Sequence, residues 1–195
     1  MKNEYKDSLF YRILRPIVKF LFLILYTPKI IGKENIPKDG RIILAGTHIS
    51  ILDCVSLMTS TKRGIHFLAK KELWHGFKGI IFSNLGLIPV DRKKHDHSVL
   101  EKAENYLKNE KVIGIFPEGT TEKGRGLLSF KIGAVKMAYD TNTMIVPFVI
   151  KGKYRFFSRD LKIIFDKPIK VKNSDLEKEN KNLRDKIISM MEDDK

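Results

Sequence analysis

Apolar residues come in short blocks along this chain, and their spacing changes after residue 31. Leu9-Phe10-Tyr11, Ile13-Leu14, Ile17-Val18 and then Phe20 to Tyr26 follow one another at helical spacing. Arg12, Arg15 and Lys19 interrupt them at i, i+3 and i+7, which puts three cations on one helical face. A membrane-spanning helix needs about 20 predominantly apolar residues. The uninterrupted run here, Phe20 to Tyr26, is much shorter. The pattern predicts an N-terminal basic amphipathic segment, residues 1–31, whose helices lie in a lipid interface. A core-facing helix of a soluble domain is the competing reading. Pro28 and Gly32 mark the exit from the segment.

Downstream the blocks alternate in character. Ile42 to Ala45 reads as a buried strand, Asp53 to Ser60 as a helix and Ile65 to Ala69 as a second strand. Leu87 to Val90 is a short strand with Pro89 at an edge or end. Ser98 to Lys108 is an amphipathic helix with Leu100, Ala103 and Leu107 on one side. Val112 to Phe116 is the clearest buried strand, Lys131 to Tyr139 a helix, and Met144 to Ile150 and Leu161 to Phe165 are strands. Ser174 and Glu177 have capping-box spacing and open a final helix carrying Leu183, Ile187 and Met191. Strands alternating with helices predict an α/β fold: a single domain over residues 32–195, with a mixed, largely parallel sheet flanked by helices.

Composition supports a folded body. At 195 residues with 43% hydrophobic side chains, the chain is long enough for one sizeable core and too apolar to stay disordered. Charge adds a constraint. Lys and Arg number 37 against 23 Asp and Glu, a formal net charge of +14, so an anionic partner is expected. Nucleic acid, a membrane surface and a phosphorylated substrate all satisfy that condition. A nucleic-acid module needs a basic stripe interleaved with exposed aromatics, and the aromatics here cluster with aliphatics near the N-terminus, so no nucleic acid is expected. Cys54 is the single cysteine, which rules out a disulfide within the chain and fits a reducing compartment. No secretory cleavage site follows the N-terminal apolar segment.

Candidate chemistry gathers where strands end. Gly46-Thr47-His48-Ile49-Ser50-Ile51-Leu52-Asp53 follows the first buried strand, where α/β folds place ligands. A histidine there suits general-base work, and a carboxylate on its second ring nitrogen fixes the tautomer. His48 and Asp53 are five residues apart, about 500° around a continuous helix. They can pair only if His48 lies in the turn and Asp53 in the first helical turn. Phe116-Pro117-Glu118-Gly119-Thr120-Thr121 follows the strongest strand, with Gly119 permitting close approach and Glu118 able to accept from a substrate hydroxyl. Asp91-Arg92 follows a third strand, and Arg92 offers a planar donor fork for phosphate. Lys70 sits at a strand end and Lys131 near a helix start, both suited to an anion. His95-Asp96-His97 is the one close histidine group and reads as part of a basic loop rather than a metal site. Cys54 has no partner base of its own.

These pieces, in this order, resemble the glycerolipid acyltransferase family, specifically the bacterial 1-acyl-glycerol-3-phosphate acyltransferases. His48 and Asp53 match its H-x-x-x-x-D, with Ser50 between them. Gly86, Ile88, Asp91 and Arg92 match its second motif, Phe116 to Thr120 its F-P-E-G-T, and Val146-Pro147 its V-P. Ala69-Lys70-Lys71-Glu72-Leu73 matches a further A-K-x-E-L stretch, so the similarity spans about Ile30 to Phe165. The chain departs at Thr47, where the family often has Asn, and at Thr121-Glu122, where the third motif usually continues with Arg and Ser; Arg125 lies close by.

The resemblance implies an acyltransferase that moves a fatty acyl group from an acyl thioester to the sn-2 hydroxyl of 1-acyl-glycerol-3-phosphate. The donor is carried by acyl-carrier protein or coenzyme A, and no other cofactor and no metal are implied. His48 is then the base and Asp53 orients it. Lys70, Asp91, Arg92, Glu118, Gly119, Thr120 and Lys131 bind substrate. The implied partners are a membrane phospholipid surface, the lysophospholipid acceptor and the thioester donor. The implied location is the cytoplasmic face of the cell membrane, held peripherally. Thr121 leaves open another lysophospholipid, or glycerol-3-phosphate, as acceptor. A non-catalytic membrane-binding homologue is the alternative class.

Overall fold

The computed structural model describes residues 8–74, 77–91, 97–121 and 127–193. Helix α1, Leu9–Tyr26, is capped by the Ser8 side chain, which accepts from the Tyr11 N–H, and closes on Thr27 in the left-handed region. It is followed by β1 (Lys29–Ile31), β2 (Ile42–Gly46), α2 (Asp53–Ser60), β3 (Ile65–Lys70), α3 (Phe77–Asn84) and β4 (Ile88–Val90). The second half contributes α4 (His97–Lys108), β5 (Val112–Ile115), α5 (Gly133–Asp140), β6 (Met144–Lys151), β7 (Lys162–Phe165), β8 (Ile169–Lys170) and α6 (Leu176–Glu192).

The strands form one sheet in the order β1-β7-β6-β2-β5-β3-β4, with β8 also on β6. The block β6-β2-β5-β3-β4 is parallel throughout. β7 and β8 run antiparallel to β6, and β1 runs parallel to β7. The sheet is therefore mixed and largely parallel, as the alternation of blocks predicts. Lys29–Ile31, counted with the expected docking segment, instead belong to the sheet through their register with Lys162–Ile164.

Strand residues alternate between two cores, since successive side chains point to opposite faces. Ile43, Ala45 and Ile113 meet α4, α5 and α6 through Ala103, Leu107, Ala134, Met137, Leu183 and Ile187. Ile42, Leu44, Ile65 and Phe67 face the other way, against Leu57 of α2 and Phe22 of α1. A helix–sheet–helix sandwich results, with all four residues Ile42 to Ala45 fully buried. At the end of β2, a Cβ on Gly46 would stand 2.0 Å from the Phe148 carbonyl oxygen, so only glycine lets β6 approach there.

Two local expectations are corrected. α6 is capped by Asp175, whose carboxylate accepts from the Lys178 N–H, rather than by Ser174 with Glu177. Its buried stripe ends on Met190, while Met191 is 43% exposed, because 3.6-residue periodicity drifts from a strict spacing of four. α1 is one helix with two functions. Tyr11 and Phe22 face the protein, and the Arg15 guanidinium donates to the Met58, Thr61 and Lys62 carbonyls at the end of α2. Those carbonyls are what a helix C-terminus leaves unpaired, and a cation suits that end of the dipole. Arg15, which shares a helical face with Arg12 and Lys19, therefore also caps α2.

Candidate active site

Parallel strands aim their carboxyl ends at one edge, so the segments after β2, β3, β4 and β5 meet there. His48 and Asp53 follow β2, Lys70 ends β3, Asp91 follows β4 and Glu118 follows β5. Arg92, Arg125 and the His95-Asp96 pair lie outside the described residues.

His48 sits in the turn and Asp53 opens α2, the one local geometry that lets residues five apart meet. The His48 Nδ1 stands 2.8 Å from Asp53 Oδ2. The same carboxylate oxygen accepts the Ile49 N–H at 2.6 Å and the Ser50 N–H at 2.9 Å. The turn thus wraps itself around the Asp53 side chain, which has no exposed surface. Asp53 also lies at the positive end of α2. Its other oxygen, Oδ1, accepts from the Tyr154 hydroxyl at 2.6 Å. With Nδ1–H directed at Asp53, the His48 Nε2 lone pair is left for substrate. The imidazole lies flat on Phe116, ring centroids 3.9 Å apart and planes within 11°.

Glu118 makes two contacts that its sequence does not suggest. Its Oε1 accepts the His48 N–H at 3.3 Å and its Oε2 the Leu128 N–H at 3.1 Å. The carboxylate ties the β2 turn to the loop beyond β5. Gly119 has φ +70°, and the Lys131 chain runs 3.2 Å from where a Cβ would stand, so the glycine lets the cation cross the loop. A cavity of about 140 Å³ opens here between His48, Leu68, Val90, Phe116, Gly119 and Lys131. His48 and Lys131 are thus brought to one hollow, whereas Lys70 is exposed at the end of β3. A larger hollow of about 500 Å³ lies at the opposite edge of the sheet, beside Lys38, Arg63 and Glu110. Its Arg63 guanidinium donates to the Pro37, Gly40 and Glu110 carbonyls, and no histidine lines it.

Tyr154 is the residue that sequence reading missed. It lies 101 positions from Asp53, in the loop after β6, and no motif spacing marks it. Its hydroxyl also lies 2.8 Å from Ser56 Oγ. Burial, then the neighbouring Asp53 charge, pushes its pKa upward, so it stays protonated and donates to the carboxylate. Cys54, next to Asp53, is pushed up to about 12 by burial and by the same charge. Its thiol is therefore neutral at working pH and a poor nucleophile. Cys54→Ala is expected to keep more than about half of wild-type turnover, and iodoacetamide at pH 8 is expected to label the folded protein far more slowly than the unfolded chain. Among the described residues, no group of three or more His, Cys, Asp or Glu is arranged to hold a metal ion.

Comparison with known proteins bears on this geometry. A model of the Acyltransferase family matches residues 27–151, which takes in every motif from His48 to Pro147. A 1-acyl-sn-glycerol-3-phosphate acyltransferase of Borreliella burgdorferi is 33% identical over 177 residues, covering 83% of this chain and 70% of the relative. The enzyme of the same name from Bacillus subtilis is 31% identical over 147 residues, covering 72% of this chain and 73% of its own. The crystal structure of the 1-acyl-sn-glycerophosphate acyltransferase PlsC from Thermotoga maritima shares the fold. Its TM-score is 0.74, and 24% of positions are identical over 93% of this chain and 78% of that one. The sheet order, the motif set and these relatives agree: the chain belongs to the acyltransferase family.

Proposed function

We propose that this protein transfers a fatty acyl group from an acyl thioester to the sn-2 hydroxyl of 1-acyl-glycerol-3-phosphate, giving phosphatidic acid for phospholipid biosynthesis. The observation that carries the reading is the buried Asp53 carboxylate on His48 Nδ1, beside a hollow that also contains Lys131. A free hydroxyl is a weak nucleophile at neutral pH, so it needs a base within hydrogen-bond reach. His48 Nε2 takes the hydroxyl proton as the oxygen attacks the thioester carbonyl carbon. Asp53 stabilises the imidazolium that forms. The tetrahedral intermediate then collapses, the carbon–sulfur bond breaks, and the imidazolium returns its proton to the departing thiolate. No covalent acyl-enzyme is required.

Lys131 reaches the same hollow and suits the acceptor phosphate. Lys70 and Arg92 are further proposed cations for the phosphate, with Asp91 orienting the Arg92 guanidinium, and Gly119 and Thr120 form the proposed cradle for the glycerol. Glu118 supports the cradle by bracing the two loops. Thr121 stands where related motifs carry a cation, which leaves open another lysophospholipid or glycerol-3-phosphate as acceptor.

We place the enzyme peripherally on the cytoplasmic face of the membrane, with α1 in the lipid interface. Leu9, Phe10, Ile13, Ile17, Phe20, Leu21 and Ile24 are all exposed along one side of that helix. At 100° per residue they fill an arc of about 120°, opposite the side that buries Tyr11 and Phe22. Arg12 and Lys19 lie beyond one edge of the arc and, with Lys62, line a basic hollow of about 390 Å³ suited to lipid phosphates. Burial, then the neighbouring Arg15, Lys33 and Lys62 charges, hold the Lys19 pKa below its usual value. Among the described residues, no helix is long and apolar enough to cross a membrane.

Acyl transfer by the purified protein in mixed micelles tests the reading. Lysophosphatidic acid is offered with acyl-carrier-protein and coenzyme A thioesters, and phosphatidic acid is expected from at least one donor. No product from either, alongside turnover of glycerol-3-phosphate or another lysophospholipid, would move the assignment to that acceptor.

Tyr154 acts here as a positioning residue. Tyr154→Phe keeps the ring and removes one hydrogen bond to a charged group, worth about 1.5–3 kcal/mol. The expected result is a fall of about 10–100-fold in kcat with KM for acceptor and donor unchanged. A rise in KM at constant kcat would instead make Tyr154 a substrate contact.

A further inference from the structure

Beyond α1, a second exposed apolar feature adjoins the proposed lipid face. The loop joining β6 to β7 reads Lys153-Tyr154-Arg155-Phe156-Phe157-Ser158-Arg159-Asp160. Phe156 is 65% exposed and Phe157 74%, adjacent aromatics turned to solvent. Burying either ring in the protein would be favourable, so a pair kept outside needs a reason. Phe157 also takes φ +56°, a left-handed conformation that is rare and strained for a bulky side chain. The strain is maintained by firm anchorage. The Phe157 N–H donates to the Leu25 carbonyl at 2.6 Å, and the Thr27 hydroxyl donates to the Ser158 carbonyl at 2.8 Å. Phe156 packs its ring 5.3 Å from that of Tyr26. The loop is therefore fixed to the last turn of α1, next to the end of its exposed stripe at Leu21 and Ile24.

Its charge selects the occupant. Lys153, Arg155 and Arg159 are exposed around the two rings, against one carboxylate, Asp160, which accepts the Lys153 N–H. Aromatics flanked by cations suit the headgroup level of an anionic bilayer. We propose that Phe156 and Phe157 insert into the interface of an anionic phospholipid membrane and form, with α1, a two-point contact. This rests on the reading of α1 as a lipid-docking helix. Its consequence is mechanistic. Tyr154 sits two residues before Phe156, lies against Tyr26 at 5.6 Å between ring centroids, and donates to Asp53. The contact with lipid is thus one short loop from the carboxylate that holds His48, and two fixed points orient the catalytic edge toward the acceptor's own surface.

The test is co-sedimentation of the full chain with vesicles of phosphatidylcholine containing one quarter phosphatidylglycerol. Phe156→Ser with Phe157→Asn is expected to lower partitioning by at least about tenfold. Arg155→Gln with Arg159→Gln is expected to lower it by about fivefold per charge, with little change on phosphatidylcholine alone. Phe157→Asn by itself separates docking from folding. Asn accepts a positive φ, so its thermal midpoint should hold or rise while partitioning falls. Wild-type partitioning by the double Phe variant overturns the proposal. If Ile17→Gln with Leu21→Gln loses binding while the loop variant keeps it, the α1 reading stands and the loop contact falls. Unchanged vesicle binding with a raised KM for acyl-carrier-protein thioester would make the loop a dock for that carrier protein, and would also overturn it.

Discussion

Replacing His48 by Ala is expected to lower kcat by about 10²–10⁴-fold and to leave the KM values within about twofold. The prediction follows from where the ring stands. Its Nδ1 is engaged by Asp53 and its face is stacked on Phe116, so Nε2 is the atom left to meet a hydroxyl. Loss of the ring removes the proton acceptor while Asp53 keeps its other three donors, from Ile49, Ser50 and Tyr154. The turn should therefore keep its shape, which an unchanged thermal midpoint would verify. The vacated space next to Phe116 also suits free imidazole, and added imidazole is expected to restore part of the rate. The decisive comparison is with Cys54→Ala under identical conditions. Equal losses in the two variants would sink direct attack by the acceptor, because Cys54 would then be sharing the chemistry. Intact turnover in His48→Ala would remove the base altogether.

What the sequence made legible follows from how local each feature is. β2 and α2 are defined by a run of buried aliphatics and by a carboxylate at a helix start, both short-range signals, and α2 begins at Asp53 and ends at Ser60 as expected. The His48–Asp53 pairing is equally local, since the intervening turn forms around the Asp53 side chain itself. The mixed, largely parallel sheet follows from alternating blocks. Pairings that depend on distant segments left no such trace. β1 is three residues long, takes its partner 133 positions away at Lys162, and reads in sequence as the tail of the amphipathic segment. Arg15 looks like one of three cations on a helix, until the end of α2 arrives with unpaired carbonyls. Glu118 looks like a substrate acceptor in an F-P-E-G-T turn, and in the fold it is bonded to two backbone N–H groups on different loops. Tyr154 is a tyrosine in a basic loop until the fold brings it to Asp53.

Asp53→Asn and Asp53→Ala should part company, and the way they do so tests the role of the carboxylate. In the native turn Asp53 receives four donors: the Ile49 and Ser50 N–H groups, the His48 Nδ1–H and the Tyr154 hydroxyl. An asparagine can keep three of them if its carbonyl oxygen takes the place of Oδ2. Its amide group then faces Tyr154, whose hydroxyl can turn to donate to Ser56 instead. The turn therefore survives in Asp53→Asn, and only the negative charge beside the imidazole is lost. That charge stabilises the imidazolium of the transition state, so kcat is expected to fall by about 10³-fold with a thermal midpoint close to wild type. Asp53→Ala removes the acceptor itself from a site with no exposed surface. Each buried donor left unpaired costs about 1–3 kcal/mol, so this variant should lose turnover and also unfold several degrees lower. Thermal unfolding and single-turnover kinetics on the same two preparations distinguish the cases. If both variants lose stability equally and Asp53→Asn retains turnover, Asp53 is a scaffold for the turn and His48 works without an orienting charge. If Asp53→Asn is folded and slow, the carboxylate acts in the chemical step, and the hydrogen bond from Tyr154 acquires its catalytic meaning through it.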